Sequence, residues 1–281
     1  MKIAVTGSKG LFGWGLAQVA GKRHEVLQLG RAEVDITRRD EVRTAFQKLR
    51  PEVVIHAAAI PSPDVCELDP AQAYLVNVHG TRHVAEAANE IGASVAYIST
   101  DAVFDGEKQT PYLETDPTIP PTVYGRTKLR GERFVAALPR YWIFRVSVLF
   151  GPGKVNLIDK GLRAMAAGQP YVVASDQTGN ALYTLDGAEK ILEVVESGRS
   201  GLYHLTNQGA CTRYELAKYA AEKAGLDVSK LVGIPSAQMG RPGKRLEYSV
   251  LKMQGLKNAG FSLPRPWQPA LDDYLRALLP L

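Results

Sequence analysis

Three residues of this chain have the types and spacing needed to move a proton at a carbonyl: Thr100, Tyr124 and Lys128. Thr100 ends the run Val95-Ala96-Tyr97-Ile98-Ser99-Thr100, the pattern of a buried strand with hydroxyls at its C-terminal end. Tyr124 and Lys128 lie four residues apart where the pattern turns helical through Leu129, Glu132, Arg133 and Phe134, so they share one helix face. A free tyrosine titrates near ~10, and a nearby positive charge favours its phenolate. A phenol tuned in this way can give a proton to a carbonyl oxygen that is receiving hydride, or take one back. Thr100 is placed to hydrogen-bond the same oxygen. Taken alone, a Tyr and a Lys four apart also describe an ordinary solvated helix face, so the surrounding elements must decide.

Those elements begin with a β-type run, Lys2 to Thr6, followed by Gly7-Ser8-Lys9-Gly10-Leu11-Phe12-Gly13 and a helical pattern through Leu16, Val19 and Ala20. Strand, glycine turn and helix together form the setting of a dinucleotide site. Gly7 permits the tight turn, Gly10 lets backbone approach a pyrophosphate, and Gly13 lets helix pack on strand. The helix N-terminus supplies N–H groups and positive dipole to the phosphates. The second strand, Glu25 to Leu29, ends at Gly30-Arg31, where an acid would bind the ribose 2′-hydroxyl of NAD. A guanidinium suits a 2′-phosphate instead, with Lys9 assisting, so NADP(H) is favoured and NAD(H) is the alternative. Asp35-Ile36 is placed to frame the adenine, although Asp35 is equally an N-cap for the helix from Arg39. The third strand, Val53 to His56, is followed by Ala57-Ala58-Ala59, whose small side chains let a cofactor lie against the backbone. His56 reads as a structural residue. Pro61 to Pro70 reads as a loop over the site, Ala71 to Ile91 as one long helix, and Tyr141 to Leu149 as a fifth strand closed by Gly151-Pro152-Gly153.

Alternating strand and helix over residues 1–150 is the pattern of a doubly wound parallel sheet. The expected architecture is therefore α/β: a Rossmann domain over 1–150, to which 185–207 returns, and a smaller C-terminal α/β substrate domain built from 151–184 and 208–281. Within the latter, the basic loop Arg241-Pro242-Gly243-Lys244-Arg245 suits a substrate diphosphate, and Asp272 to Leu279 reads as a closing helix.

Composition narrows the class of function. With 281 residues, 45% hydrophobic and 22% charged, the chain is an ordinary globular protein large enough for a full core. Its two cysteines, Cys66 and Cys211, form no CxxC; reduced thiols in a cytoplasmic protein are expected, with no metal site and no disulfide. Met1-Lys2 runs directly into a strand, so no signal peptide is expected, and no apolar run reaches membrane-spanning length. A net charge of +5 fits a pocket for phosphate-bearing ligands, whereas the lack of a dense basic tract with interleaved aromatics argues against nucleic acid.

The glycine spacing, the Thr at the end of the fourth strand and the Tyr-x-x-x-Lys helix together resemble the extended short-chain dehydrogenase/reductase family. Within it, Ile98-Ser99-Thr100-Asp101 with Val103-Phe104-Asp105-Gly106, Tyr124 to Lys128 with Gly131-Glu132, Asp176-Gln177 with Gly179, and Gly201-Leu202-Tyr203-His204 are similar to the dTDP-4-dehydrorhamnose reductases. The resemblance implies hydride transfer from NADPH or NADH to a nucleotide-linked 4-keto-6-deoxysugar. Thr100 would orient the carbonyl, Tyr124 would donate the proton, and Lys128 would lower the phenol pKa and bind the nicotinamide ribose. It also places Asp101, Val103, Phe104, Asn156 and Arg241 against the substrate, and makes a homodimer a family-level expectation. Two departures touch the substrate side. The family's Trp after the fifth-strand Ser is Val148 here, and Arg245 stands where the pattern Arg-Pro-x-x-Ser has serine. Two other functions share the scaffold: a non-catalytic regulatory subunit resembling that of methionine adenosyltransferase, and a nucleotide-sugar epimerase. Dehydratases of this fold carry Asp-Glu after the Thr, whereas Asp101 is followed by Ala102.

Overall fold

The computed structural model describes residues 1–278. In chain order it contains β1 (Lys2–Thr6), α1 (Leu11–Ala20), β2 (Glu25–Leu29), α2 (Arg39–Leu49), β3 (Val53–His56), α3 (Pro63–Leu68), α4 (Pro70–Tyr74), α5 (Thr81–Glu90), β4 (Ser94–Thr100), α6 (Val123–Ala136), β5 (Tyr141–Val146) and β6 (Val148–Phe150). Then follow α7 (Leu157–Ala166), β7 (Tyr171–Ala174), β8 (Thr178–Gly179), β9 (Ala181–Tyr183), α8 (Thr184–Glu196), β10 (Gly201–His204), β11 (Cys211–Thr212), α9 (Arg213–Lys223), β12 (Leu231–Ile234), α10 (Gln254–Asn258) and α11 (Trp267–Leu278). The last residue expected in the closing helix, Leu279, lies outside the described residues.

Six strands form one parallel sheet in the order β10-β5-β4-β3-β1-β2. The apolar runs of β1, β3, β4 and β5 are buried on both faces, as a sheet covered by helices on each side requires, whereas the edge strand β2 is partly exposed. Ile3, Val5, Val53 and Ile55 pack with α1 and α8, whereas Ala4 and Val54 on the other face pack with α2 and α5. From β1 the chain moves outward to β2 and then crosses back to β3. The loops leaving β1 and β3 therefore diverge at the C-terminal edge of the sheet, and a crevice opens at this switch point.

A second core holds Phe150, Ile158, Tyr183, Leu216, Trp267 and Tyr274, drawn from β6, β9, α7, α9 and α11. It is knitted by three two-stranded pairings: β6 with β9, β7 with β12, and β8 with β11. The expected single strand from Tyr141 to Leu149 is divided: β5 ends in the main sheet at Val146, and β6 begins at Val148 with a different partner. Ser147 sits at the break with its hydroxyl bonded to Asp101 at 2.6 Å, and a change of strand partner leaves no trace in apolar alternation. The expected helix 71–91 is helical up to Glu90 but carries a π-helical segment, Leu75–Gly80, between α4 and α5. Asn77 within it bonds the backbone of Ile60 in both directions, at 2.8 and 3.2 Å, and donates to Thr127 Oγ1 at 3.1 Å. The expected loop 61–70 contains α3, started by Ser62, whose hydroxyl accepts from the Val65 N–H, and by Pro63 at its first turn.

One buried ion pair holds α6 to the sheet. Glu132 takes both arms of Arg145, Nε at 2.9 Å and Nη2 at 2.8 Å, and also accepts from Ser99 Oγ at 2.5 Å. Both charged side chains are 5% exposed. Breaking such a pair strands a charge in the interior at a cost of about 3–5 kcal/mol. Glu132→Gln should lower the unfolding free energy by roughly that amount in a urea titration. An unchanged denaturation midpoint would contradict the structural role assigned to the pair.

Candidate active site

The crevice at the switch point has a volume of about 350 Å³ and is lined by Gly7, Lys9, Gly10, Arg31, Asp35, Ile36 and Ala57-Ala58-Ala59, among others. Gly7 has φ of 68°, and a side chain there would stand 2.7 Å from the backbone of Ala58. The glycine is thus required both by the left-handed turn and by the close approach of the two loops. Gly10 is the N-cap of α1 with no side-chain cap, which leaves the first-turn amides of Leu11, Phe12 and Gly13 available to an anion. Gly13 packs directly on the Gly7 carbonyl, so a methyl there would collide with the loop. The Phe12 ring points the other way, into the core against Gly187. This cradle fits a dinucleotide.

At the rim, Lys9 Nζ donates to Glu33 Oε1 at 2.9 Å, and Glu33 Oε2 accepts the Gly30 N–H at 2.8 Å. Lys9, through its hydrogen bond, holds the Glu33 carboxyl below its ordinary pKa. Arg31 is 83% exposed and stands 3.7 Å from Asp35, which also accepts from Thr37 N–H at 3.0 Å and Thr37 Oγ1 at 2.7 Å. Sequence reasoning missed Glu33, which lies beyond the strand end where an acid would be sought.

A second cleft, about 230 Å³, abuts the first: Ile60 lines the crevice and Pro61 the cleft. Thr100, Asp101, Tyr124, Ser147, Val148, Arg213 and Ser249 contribute to its wall. Asp101 is its polar hub. One carboxylate oxygen accepts from Ser147 Oγ at 2.6 Å and Ser249 Oγ at 2.8 Å, and the other accepts from Thr100 Oγ1 at 3.0 Å. Thr100 Oγ1 in turn accepts the Ala102 N–H at 3.1 Å. The loop pattern had no serine at 245, yet a serine does reach the site, from position 249. Arg245 also lines the cleft, but its guanidinium is engaged by Asp64 on α3, with bonds of 3.0 and 2.8 Å.

Burial governs the two titratable groups on α6. It pushes the Tyr124 phenol well above its ordinary pKa; a hydrogen bond with Thr100 opposes this and the Asp101 charge adds to it. The expectation that Lys128 pulls the phenol down does not describe this arrangement. Burial also erodes the ammonium, lowering Lys128 to about 7 against the pull of Glu132. An ion withdrawn from water loses more solvation than a neighbouring charge returns. Lys128 Nζ lies over the Tyr97 ring, 4.0 Å from its centroid, a contact that favours the cation. His56 is fully buried between Thr6 Oγ1 at 2.6 Å and Thr81 Oγ1 at 3.0 Å, and burial lowers its pKa to about 3. It is a structural residue.

Four residues expected at the substrate lie elsewhere. Val103 and Phe104 are wholly buried with Tyr112 and Leu251, so their side chains pack a core cluster and do not line the cleft. Asn156 caps α7 in a capping box with Asp159 and donates to Gly151 O at 3.0 Å and Tyr274 Oη at 2.9 Å, which engages its amide fully. Arg241 is exposed and is not among the residues lining the cleft.

A parallel sheet with a glycine cradle at its switch point, and a hydroxyl, a phenol and an amine gathered beside it, defines a Rossmann-type protein of the short-chain reductase kind. More narrowly, the chain belongs to the RmlD substrate binding domain family, whose model matches residues 1–279. It is 37% identical over 282 residues to a dTDP-4-dehydrorhamnose reductase of Streptomyces griseus, covering 98% of this chain and 93% of that protein. It is 35% identical to the spore coat polysaccharide biosynthesis protein SpsK of Bacillus subtilis, covering 98% and 97%. A dTDP-4-dehydrorhamnose reductase of Bacillus anthracis in complex with NADP superposes with a TM-score of 0.95 at 29% identity, covering 98% of this chain and 99% of that one.

Because folded Lys128 binds its proton near pH 7 while the unfolded chain binds it up to about 10.5, stability rises with pH across that interval. The slope from this one group approaches ~1.4 kcal/mol per pH unit. Lys128→Met should remove it, so the stability difference between variant and wild type narrows steadily from pH 7 to 9 in urea titrations. Parallel pH curves would show that Lys128 carries its proton in the folded protein.

Proposed function

We propose that this protein is an NADP(H)-dependent reductase of a nucleotide-linked 4-keto-6-deoxysugar, of the dTDP-4-dehydrorhamnose reductase type. The observation that carries the reading is the meeting of Thr100 and Tyr124 in one cleft wall, with Lys128 one helical turn beneath, beside the glycine-lined crevice. The named relatives favour a reductase over an epimerase or a regulatory subunit, and Ala102 after Asp101 leaves dehydration without its second carboxylate.

Gly7, Gly10, the first-turn amides of α1 and Ala57 to Ala59 would hold the dinucleotide, with Lys9 and Arg31 at the rim toward a 2′-phosphate. When bound, NADPH supplies the hydride. The chain's own residues supply the proton and the geometry. Tyr124 carries its proton at neutral pH, as a phenol ordinarily does, and burial disfavours the phenolate further. It can therefore release that proton to a substrate oxygen as charge grows there. Lys128 lies one turn further along α6, and its positive form stabilises the phenolate left behind. That contribution exists only once the proton has moved, so it lowers the barrier rather than tightening ground-state binding. Thr100 is locked by its bonds to Asp101 and Ala102, which presents its oxygen to the phenol in a fixed orientation.

Purified protein should oxidise NADPH when given dTDP-4-keto-L-rhamnose, monitored by the loss of NADPH absorbance. Tyr124→Phe should lower turnover by roughly 10²–10⁴-fold, the usual contribution of a general acid, while NADPH affinity stays within a few-fold. No turnover with any nucleotide keto-sugar would overturn the reductase reading. Arg31→Ala should weaken NADPH by about 10-fold and leave NADH nearly unchanged, since a lost charge-assisted bond is worth about 1.5–3 kcal/mol before solvent exposure reduces it. Equal losses for the two cofactors in fluorescence titrations would remove Arg31 from 2′-phosphate recognition.

A further inference from the structure

The cleft has three cationic side chains in its wall: Arg213, Lys244 and Arg245. Arg245 is engaged by Asp64 through both arms and by the Gly243 carbonyl at 2.6 Å, and Lys244 is exposed to solvent. Arg213 differs from both. It is the first residue of α9, held there by the capping box of Thr212 and Glu215 and by the pairing of β11 with β8. Its Nη1 is closed off from water and has no hydrogen-bond partner among the described residues. A cation at a helix N-terminus also opposes the helix dipole. A buried guanidinium arm without a hydrogen-bond partner is costly, and the Asp101 charge nearby only partly offsets its burial.

Its surroundings indicate what would. Gly179 leaves the space between Arg213 and the Asp101 hub open. A side chain built there would meet Ser249 Oγ at 2.9 Å, Ser147 Oγ at 3.4 Å and Arg213 Nη1 at 3.8 Å. The Asp101 carboxylate is occupied by Ser147, Ser249 and Thr100, so it does not bond Arg213 directly. Gln177 lines the same cleft, is 5% exposed, and its Nε2 likewise has no partner among the described residues. Two donors without partners thus lie in the wall of the cleft that holds Thr100 and Tyr124.

We propose that Arg213 and Gln177 are specificity-determining residues of the cleft, donating hydrogen bonds to the anionic phosphate oxygens of a sugar nucleotide. This rests on the sugar-nucleotide reading above but moves phosphate recognition from the basic loop 241–245 to the start of α9. The loop instead straps the cleft to α3 through Arg245 and Asp64. A guanidinium fork matches phosphate oxygens in pairs, which an ammonium cannot do.

The test uses the full chain and calorimetric titration with dTDP-L-rhamnose, UDP-glucose and inorganic pyrophosphate, with NADPH titrated as the control. Arg213→Met should weaken dTDP-L-rhamnose by about 10–100-fold, the value of a charge-assisted hydrogen bond, and abolish its competition by pyrophosphate. Arg213→Lys should fall between the two, Gln177→Met should lose less than Arg213→Met, and NADPH affinity should stay within twofold in all three. In turnover the loss should sit in KM with kcat little changed. Unchanged sugar-nucleotide affinity in Arg213→Met, a loss confined to kcat, or an equal loss of NADPH affinity would each overturn the assignment. If wild type ignores dTDP-L-rhamnose yet binds UDP-glucose or pyrophosphate in an Arg213-dependent manner, the phosphate site stands and the choice of substrate fails. If wild type binds none of the three probes, the assignment itself is overturned.

Discussion

The placement of α6 against the end of β4 is the constraint on which the site depends. Glu132, one turn beyond Lys128, locks the helix to Arg145 on β5 and Ser99 on β4. Two glycines make the approach close enough: a side chain at Gly125 would strike the Ala102 carbonyl, and one at Gly131 the Tyr97 ring. Helix and strand therefore meet backbone to side chain, with no intervening layer. Tyr124 is thereby brought into the same cleft wall as Thr100, although more than twenty residues of mostly irregular chain separate them.

That closeness has an electrostatic consequence. Dehydration at the junction raises the phenol and lowers the amine, the latter against the pull of Glu132. The pair is thus poised with the proton on Tyr124, as reduction of a carbonyl requires.

The substrate side is organised by a carboxylate rather than by an aromatic. Asp101 gathers hydroxyls from three separate stretches of chain: the end of β4, the break between β5 and β6, and the segment before α10. Ser147 serves two purposes, since its bond to Asp101 coincides with the point where the chain leaves the main sheet. Val148 lines the cleft where the related pattern has Trp, and Arg213 at the start of α9 contributes to the same lining. The cleft is consequently more polar than an aromatic platform would make it.

The doubly wound sheet, the glycine cradle and the Tyr–Lys spacing were legible in the residues because each follows from local periodicity or from a turn only glycine adopts. Glu33, Ser249, Gln177 and Arg213 were not legible, nor was the core placement of Val103, Phe104 and Asn156. Each depends on which distant segment packs alongside, and a side chain's type says nothing of whether its hydrogen bonds are already taken. The direction of the Tyr124 shift was likewise invisible. A linear spacing reports the charges present, whereas only the folded packing decides how much water remains to solvate them.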